Sequence, residues 1–200
     1  MNVKKRDTSQ KRESILIAAM QAFSDDGYDK TSMDQIAEKA GASKRTVYNH
    51  FPSKELLFSA VIDKFAEETK NLKLIRYEVE RSLEEQLGDF VEAELSLTNN
   101  ETWMGFIKVL LTMFIRDPDM ARKSMLKHAT GEDTLVTWLQ AAMDDGKLII
   151  RNVQLAAKVF WSMIGGAFTW PALYQGSIEA KTVKLLKKEL IETFLCRYRK

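Results

Sequence analysis

A short segment, GASKRTVYNHF at positions 41–51, carries side chains that suit contact with nucleic acid. Residues four apart share one side of a helix, so two such pairs would form a single polar patch. The pairs are Lys44 with Tyr48 and Arg45 with Asn49. Arginine can bond guanine bidentately, asparagine can bond adenine in the same way, and lysine and tyrosine can hold phosphates. The polar patch therefore predicts contact with DNA; the alternative is a solvated polar helix face.

The residues around this patch predict the helices that would position it. Thr31 is predicted to cap a second helix, with Asp34 as its partner three residues later. Gly41 ends that helix, and Ser43 is predicted to cap a third one. The apolar residues expected to face inward are Met33, Ile36, Ala37, Ala40, Val47 and Phe51. Two short capped helices joined by a glycine turn have the spacing of a helix-turn-helix.

Charge is distributed unevenly along the 200 residues. The net charge is +2, but residues 1–12 hold five basic side chains and one acidic one, which leaves −2 for the remainder. A basic arm ahead of the predicted helix-turn-helix indicates a local contact with a polyanion. The alternative for such a segment is a solvated terminus.

Few residues are available for catalysis or metal binding. The chain has two histidines and one cysteine, and neither a glycine-rich phosphate loop nor clustered metal-ligand spacing is evident. We therefore predict no enzyme activity, cofactor or metal site. Cys196 alone cannot form an intramolecular disulfide, which predicts a reducing, cytoplasmic compartment. The uncharged run at 159–178 contains Gly, Ser and Pro and predicts a buried helix with a loop, not a membrane span.

The run TSMDQIAEKAGASKRTVYNHFPSKELL, residues 31–57, resembles the DNA-binding signature of the TetR family of bacterial transcriptional regulators. The matching positions are Thr31, Ile36-Ala37, Ala40-Gly41, Ser43, Tyr48, Phe51 and Ser53-Lys54-Glu55. The resemblance implies that the third helix enters the major groove of double-stranded DNA. It implies backbone contacts from Thr31, Tyr48, His50 and Lys54, and base or mixed contacts from Ser43, Lys44, Arg45, Thr46 and Asn49. Arg45 and Ala42 depart from the family's usual glycine and valine, so no base preference is carried over.

Helical periodicity predicts an all-α protein of about nine helices. We expect a helix-turn-helix domain at 9–68 and a larger helical domain for ligand binding and dimerisation at 69–200. Predicted helices of the larger domain lie at 78–97, 100–116, 118–144, 152–174 and 178–197.

One helix-turn-helix has little surface for tight recognition, so we expect a homodimer on a palindromic operator. Apolar stripes on the last two helices predict the dimer interface. Its candidate residues are Phe160, Ile164, Phe168, Leu186, Leu190 and Phe194. In the resembling family the corresponding helix pair forms a four-helix bundle between subunits. The alternative is that both stripes face the chain's own core.

The resemblance also implies a small-molecule effector cavity in the larger domain, and aromatic and Met side chains suit an apolar or aromatic ligand. The candidates are Trp103, Phe106, Met113, Phe114, Trp138 and Trp170, with plain core packing as the alternative. The leading hypothesis is a ligand-responsive regulator, expected to repress by occupying its promoter. The other is a non-enzymatic DNA-binding adaptor whose second domain binds a protein.

Overall fold

This computed structural model describes residues 3–68, 75–119 and 134–200. Side chains are described for residues 8–64 of the first range and for all of the other two ranges. Most of these residues are helical. The helices are α1 (Val3–Asp26), α2 (Met33–Lys39), α3 (Lys44–His50), α4 (Lys54–Glu68), α5 (Leu83–Thr98), α6 (Glu101–Arg116), α7 (Thr134–Asp144), α8 (Val153–Ile164), α9 (Trp170–Gln175) and α10 (Ala180–Tyr198). A π-helical segment, Gly165–Thr169, joins α8 to α9. Within these ranges the only β pairing is an isolated bridge between Leu148 and Arg199. The all-α prediction is confirmed.

Contacts between Cα atoms divide the chain into two compact units. The first unit comprises residues 1–68 and 105–130, and the second comprises residues 69–104 and 131–200. One boundary between the units lies inside α6, between Met104 and Gly105. The functional domains predicted at 9–68 and 69–200 stay a prediction, because compactness alone does not assign function.

In the first unit, α1 packs against α2 and α4. Its inward face buries Ile15, Leu16, Ala18, Ala19, Ala22 and Phe23. The helix ends before Gly27, whose φ of 80° is a conformation that favours glycine. Because α1 begins at Val3, the predicted basic arm is continuous with this helix and not a separate tail. Arg12 lies over the Phe51 ring, 5.1 Å from its centroid.

In the second unit, a buried amide fixes the chain ahead of α5. Gln86 is fully buried, and its Oε1 accepts hydrogen bonds from the backbone N–H of Glu78 at 2.8 Å and from Nε1 of Trp138 at 3.1 Å. Its Nε2 donates to the carbonyl oxygens of Glu78 at 2.8 Å and Arg81 at 3.0 Å. The amide is satisfied on both ends, so it holds residues 78–81 against α5 without leaving an unpaired polar group.

Three helix predictions need correction or limitation. The helix predicted from residue 78 begins at Leu83, because Ser82 and Glu85 form a capping box there. The helix predicted at 152–174 starts as expected after its Asn152 cap but is interrupted by the π segment. The middle of the helix predicted at 118–144 lies outside the described residues.

The residues predicted to form the dimer interface lie in the core of the second unit. Phe160, Ile164, Phe168, Leu190 and Phe194 are each at most 5% exposed, and Leu186 packs against the same core. The rings of Phe160 and Phe194 are 4.9 Å apart between centroids. These side chains already contact their own chain, which favours the alternative that both stripes face the chain's own core, and their assignment to a subunit interface stays a prediction. Periodicity located the apolar face of each helix correctly but did not say what covers it.

Candidate nucleic-acid interface

The second helix is capped by Ser32, one residue later than predicted. The Ser32 Oγ accepts a hydrogen bond from the Gln35 N–H at 3.2 Å, and Gln35 Oε1 accepts one from the Ser32 N–H at 2.8 Å. This reciprocal pair is a capping box, and it replaces the predicted pair of Thr31 and Asp34. The sequence did contain the signal, because Ser-x-x-Gln matches a capping box better than Thr-x-x-Asp.

Thr31 points inward and is 1% exposed. Its Oγ1 lies 2.8 Å from the carbonyl oxygen of Gly27 and 3.1 Å from that of Ala22, to either of which it donates. The predicted phosphate contact from this side chain is therefore corrected. Thr31 ties the α1–α2 turn (residues 27–32) to the last turn of α1.

The loop between α2 and α3 is held by two backbone hydrogen bonds. The Gly41 N–H donates to the Glu38 carbonyl at 3.0 Å, and the Ala42 N–H donates to the Ala37 carbonyl at 2.9 Å. Gly41 has a φ of 58°, in the left-handed region where a Cβ is unfavourable. The glycine therefore permits the sharp reversal that brings Ser43 to the start of α3.

Ser43 caps α3, as predicted. Its Oγ accepts a hydrogen bond from the Thr46 N–H at 3.1 Å, and the two hydroxyl groups are 2.8 Å apart. Val47 is fully buried and Phe51 is 3% exposed. All four residues of the polar patch (Lys44, Arg45, Tyr48 and Asn49) are exposed on the opposite side. Their outward placement is confirmed, while their contacts with DNA remain predictions.

The members of the polar patch differ in how far the protein already engages them. Lys44 Nζ is 2.6 Å from Asp34 Oδ2, and this hydrogen bond together with the charge of Asp34 raises the pKa of Lys44. Arg45 and Asn49 make no side-chain hydrogen bond or ion pair with another described residue. They are the groups with unused donors, whereas Lys44 must leave Asp34 to bind a phosphate. His50 is half-buried, with its ring 6.3 Å from that of Phe51.

Lys54 does not present a free ammonium group. Its Nζ donates to the carbonyl oxygens of Tyr28 at 2.9 Å and Thr31 at 3.0 Å, and it lies 4.3 Å from the centroid of the Tyr28 ring. Because an ammonium has three donors and no acceptor, it satisfies several carbonyls of one turn at once. Within the chain this ammonium group bonds the carbonyls of the α1–α2 turn, and the predicted phosphate contact stays a prediction. The sequence motif places a lysine at position 54 but does not show which carbonyl oxygens its ammonium group contacts.

Tyr28 fixes the same turn from its other side. The ring lies 5.0 Å from Phe58 and 5.4 Å from Phe23, measured between centroids. Burial, followed by the charge and hydrogen bond of Glu55, raises the pKa of Tyr28 to about 12. Asp29 in this turn forms an ion pair with Arg116 of α6. The turn was missed as a positioning element because Phe58, Glu55 and Arg116 are distant from it in sequence.

The six effector candidates are not brought together in either of two cavities that the structure contains. Trp138 lines a cavity of about 520 Å³ in the second unit, and Met113 lines one of about 300 Å³ in the first. Phe106 is fully buried against Phe58, with 5.7 Å between ring centroids. Trp170 is 54% exposed. Trp103 and Phe114 are half-buried and line neither cavity.

The described ranges contain neither a metal-ligand cluster nor a membrane-spanning helix. No group of three or more His, Cys, Asp or Glu side chains is arranged there to hold a metal ion. None of the helices within them has the length and apolar character needed to cross a membrane.

An all-helical chain with a capped helix-turn-helix and an exposed basic-polar third helix defines a DNA-binding regulator. Residues 15–61 match the profile of bacterial regulatory proteins of the tetR family, and residues 85–200 match that of the C-terminal domain of AefR-like transcriptional repressors. The chain belongs to the TetR family and is a helix-turn-helix transcriptional regulator.

Individual relatives agree with this assignment. A TetR-family regulator from Pseudomonas syringae pv. tomato str. DC3000 is 31% identical, with 95% of this chain and 97% of that chain covered and a TM-score of 0.78. The transcriptional activator FasR of Mycolicibacterium smegmatis is 26% identical over 161 residues, which cover 80% of this chain and 72% of FasR. The transcriptional repressor ComR of Escherichia coli K12 is 32% identical over 133 residues, covering 64% and 63%.

Replacing Arg45 by Ala is expected to relax specificity at one base position. Loss of a bidentate base contact costs about 1–3 kcal/mol for the preferred base and much less for the others. Binding to a selected site and to its single-base variants measures this difference. Lys39→Ala is the control, since Lys39 is exposed on α2 and pairs with Asp25. An unchanged base preference in Arg45→Ala would remove Arg45 from the recognition surface.

Replacing Lys54 by Met is expected to weaken binding to all DNA sequences alike without changing its salt dependence. The aliphatic stem is kept while the carbonyls of Tyr28 and Thr31 lose their donor, so the free energy of unfolding falls by about 1–3 kcal/mol. Loss of a phosphate contact would instead lower the salt slope by about one unit.

Lys44→Met provides the matched control for this experiment. Lys44 is exposed and pairs only with the exposed Asp34, so its loss should lower the salt slope and leave unfolding nearly unchanged. Denaturant unfolding and binding at several salt concentrations measure both quantities. If Lys54→Met reduces the salt slope and unfolds like the wild type, Lys54 is a phosphate contact and its role in holding the α1–α2 turn is wrong.

Proposed function

We propose that the protein is a repressor that binds a palindromic operator as a homodimer and is released by a small apolar or aromatic effector. The observation that carries the proposal is the exposed pair of Arg45 and Asn49 on a capped helix, with side-chain donors that the described structure leaves unused. The match of residues 85–200 to a repressor-type C-terminal domain supports repression.

An exposed apolar stripe along α8 and α9 replaces the buried residues as the proposed dimer surface. It contains Leu155, Val159, Trp170 and Tyr174, which are between 40% and 69% exposed. Gly166 is exposed in the middle of the stripe, and a Cβ built there meets no atom within 4 Å. A second copy of this chain fits such a face, because an exposed glycine lets another helix approach closely. Leu185 offers a further apolar position on α10, at 61% exposure.

A dimer would place two copies of α3 at a fixed spacing, which selects operators whose half-sites have the same spacing. Two-fold symmetric regulators of the helix-turn-helix class bind half-sites about one turn of DNA apart, ~34–36 Å, or a multiple of that distance. A palindromic operator then presents the same bases to each α3. The operator therefore mirrors the symmetry of the protein, and a change in the spacing of the two α3 helices weakens binding.

The cavity of about 520 Å³ in the second unit is the proposed effector site. Its volume is within the usual range for small-molecule pockets, ~300–1,000 Å³. Tyr77 and Trp138 line it, with their rings 5.6 Å apart between centroids and 73° between planes. Such edge-to-face aromatic walls favour an apolar or aromatic ligand.

Release by this ligand requires different affinities for two states of the protein. A ligand that binds both states equally shifts no equilibrium, so the effector must prefer the form that does not bind DNA. The proposed lever is α4, because it follows the helix-turn-helix and directly precedes the second unit in the chain.

Selection from random DNA, followed by transcription in vitro from a template with the selected site, tests the proposal. The expected site is an inverted repeat, and occupancy should lower transcription. Transcription should recover when a compound that binds the chain is drawn from a panel of small aromatic molecules. Activation by the bound protein would overturn repression, since relatives include both an activator and a repressor. Selection of a non-repeated site would overturn the dimeric mode.

Replacing Val159 by Asp is expected to yield folded monomers. Val159 is 40% exposed in the single chain, so the carboxylate is solvated there but would be buried without a partner in a dimer. Replacing the adjacent Phe160 by Asp should instead unfold the second unit, because even Phe→Ala in a core costs ~3–5 kcal/mol. Sedimentation and denaturant unfolding separate the two outcomes. A Val159→Asp protein that stays dimeric would place the interface elsewhere.

Replacing Thr137 by Trp is expected to raise the effector concentration needed for operator release by about tenfold or more, while DNA affinity without effector stays the same. Thr137 is exposed at the wall of the cavity, so an indole occupies the space of the ligand without entering the core. Thr137→Val is the control that keeps the volume. An unaltered response of Thr137→Trp would show that the effector binds elsewhere.

A further inference from the structure

The first unit contains a space between α6 and the end of α1 with the α1–α2 turn. Gly105 of α6 faces the hydroxyl group of Ser24 of α1 there, and a Cβ on Gly105 would overlap that oxygen. Farther along α6, a cavity of about 300 Å³ lies against residues 26–30. The ion pair between Arg116 and Asp29 bounds its other end.

The walls of this cavity combine apolar surface with charged groups. Val109 and Met113 line it from one face of α6, and Tyr28 lines it from the turn. Val109 is 7% exposed, and Tyr28 is held by its ring contacts to Phe23 and Phe58. Fixed apolar walls with a few polar groups are the usual composition of a small-molecule site.

The charged groups at the cavity carry an excess of positive charge. Asp29 and Arg116 neutralise each other in their ion pair. Lys30 and Lys108 also line the cavity, and neither forms an ion pair with any residue in the described ranges. Asp26 is the one lining carboxylate that lacks an ion-pair partner there. Two ammonium groups against one carboxylate favour an anion over a cation.

We propose that this cavity binds a small organic carboxylate with an apolar body. The apolar part would lie against Val109, Met113 and Tyr28, and the carboxylate would accept charge-assisted hydrogen bonds from Lys30 or Lys108. The cavity belongs to the unit that contains the helix-turn-helix, and its lining residues are different from those of the proposed effector cavity. It is a second site and does not depend on the effector proposal.

A ligand in this cavity would contact both α6 and the α1–α2 turn, which leads into the helix-turn-helix. The turn that lines the cavity also carries Thr31 and leads directly into the Ser32 cap of α2. A carboxylate bound by Lys30 of the turn or Lys108 of α6, with its apolar body between Tyr28 and Met113, would link the turn to α6. Occupancy should therefore change operator affinity by acting on the first unit itself.

Three naphthalene compounds of similar shape test the assignment on the full-length chain. Naphthalene-2-carboxylate is the probe, naphthalene-2-carboxamide is its neutral analogue and 2-naphthylmethylammonium is its cationic analogue. Calorimetric titration should show the carboxylate binding about tenfold or more tighter than the amide, since charge-assisted hydrogen bonds are lost in the amide. Replacing Lys30 and Lys108 together by Ala should remove most of that advantage, whereas Lys184→Ala, an exposed lysine of α10, should not.

Two tryptophan variants locate the bound probe. Thr112→Trp should weaken binding of the carboxylate by about tenfold or more by filling the cavity, and Thr137→Trp in the second unit should leave it unchanged. Thr112 is exposed, and its hydroxyl donates only to the Lys108 carbonyl of the same helix, at 2.9 Å. Thr112→Val is the volume control, and equal thermal unfolding of all three variants shows that the fold is intact.

The opposite results overturn the proposal in distinct ways. Loss of binding in Thr137→Trp but not in Thr112→Trp would place the carboxylate in the effector cavity and leave the proposed function standing. Tighter binding of the ammonium compound would reverse the charge assignment. Absence of heat for all three probes at millimolar concentration and at two temperatures would show that the cavity binds no such ligand.

Discussion

The carbonyl groups of the α1–α2 turn need hydrogen-bond donors, and the Lys54 ammonium supplies them from α4. Thr31 adds a hydroxyl donor from within the turn, and Tyr28 covers Phe23 and Phe58 with its ring. These contacts fix where α2 begins relative to α1 and α4. Since α3 follows α2 after a four-residue connection, the orientation of the polar patch depends on this small group of polar contacts over an apolar core.

Polar side chains in the helix-turn-helix divide between holding the fold and facing solvent. The side chains of Ser32, Gln35 and Ser43 accept hydrogen bonds from free N–H groups at two helix starts, and the Thr46 hydroxyl pairs with that of Ser43. Lys44 is shared between the two uses, because its ion pair with Asp34 links α3 to α2. Arg45 and Asn49 keep unused donors. The capping hydrogen bonds of Ser32, Gln35 and Ser43 hold the two short helices, and so hold the backbone that carries Arg45 and Asn49.

Local signals in the sequence were sufficient for much of the fold. Gly41 marked a helix end and Ser43 marked a helix start, because glycine and capping residues act within one helical turn. The α3 faces followed from spacing alone. Spacing could not show which residue of another helix or turn a side chain would contact. The hydrogen bonds of Lys54 to the carbonyls of the α1–α2 turn are an example. For the same reason spacing identified Phe160 and Phe194 as apolar positions but not which chain buries them.

The π segment between α8 and α9 sets the rotational phase of that long helix. In a uniform α-helix each residue turns by about 100°, so positions 155 and 174 would differ by about 100° around the axis. The Trp170 N–H instead bonds to the Gly165 carbonyl, five residues back, and one extra residue is used to complete the turn. That residue cancels the accumulated rotation and returns Trp170 and Tyr174 to the side of Leu155. The π segment thus keeps the exposed side chains of Leu155, Trp170 and Tyr174 on one side of the helix over five turns, whereas in a regular α-helix they would wind around its axis.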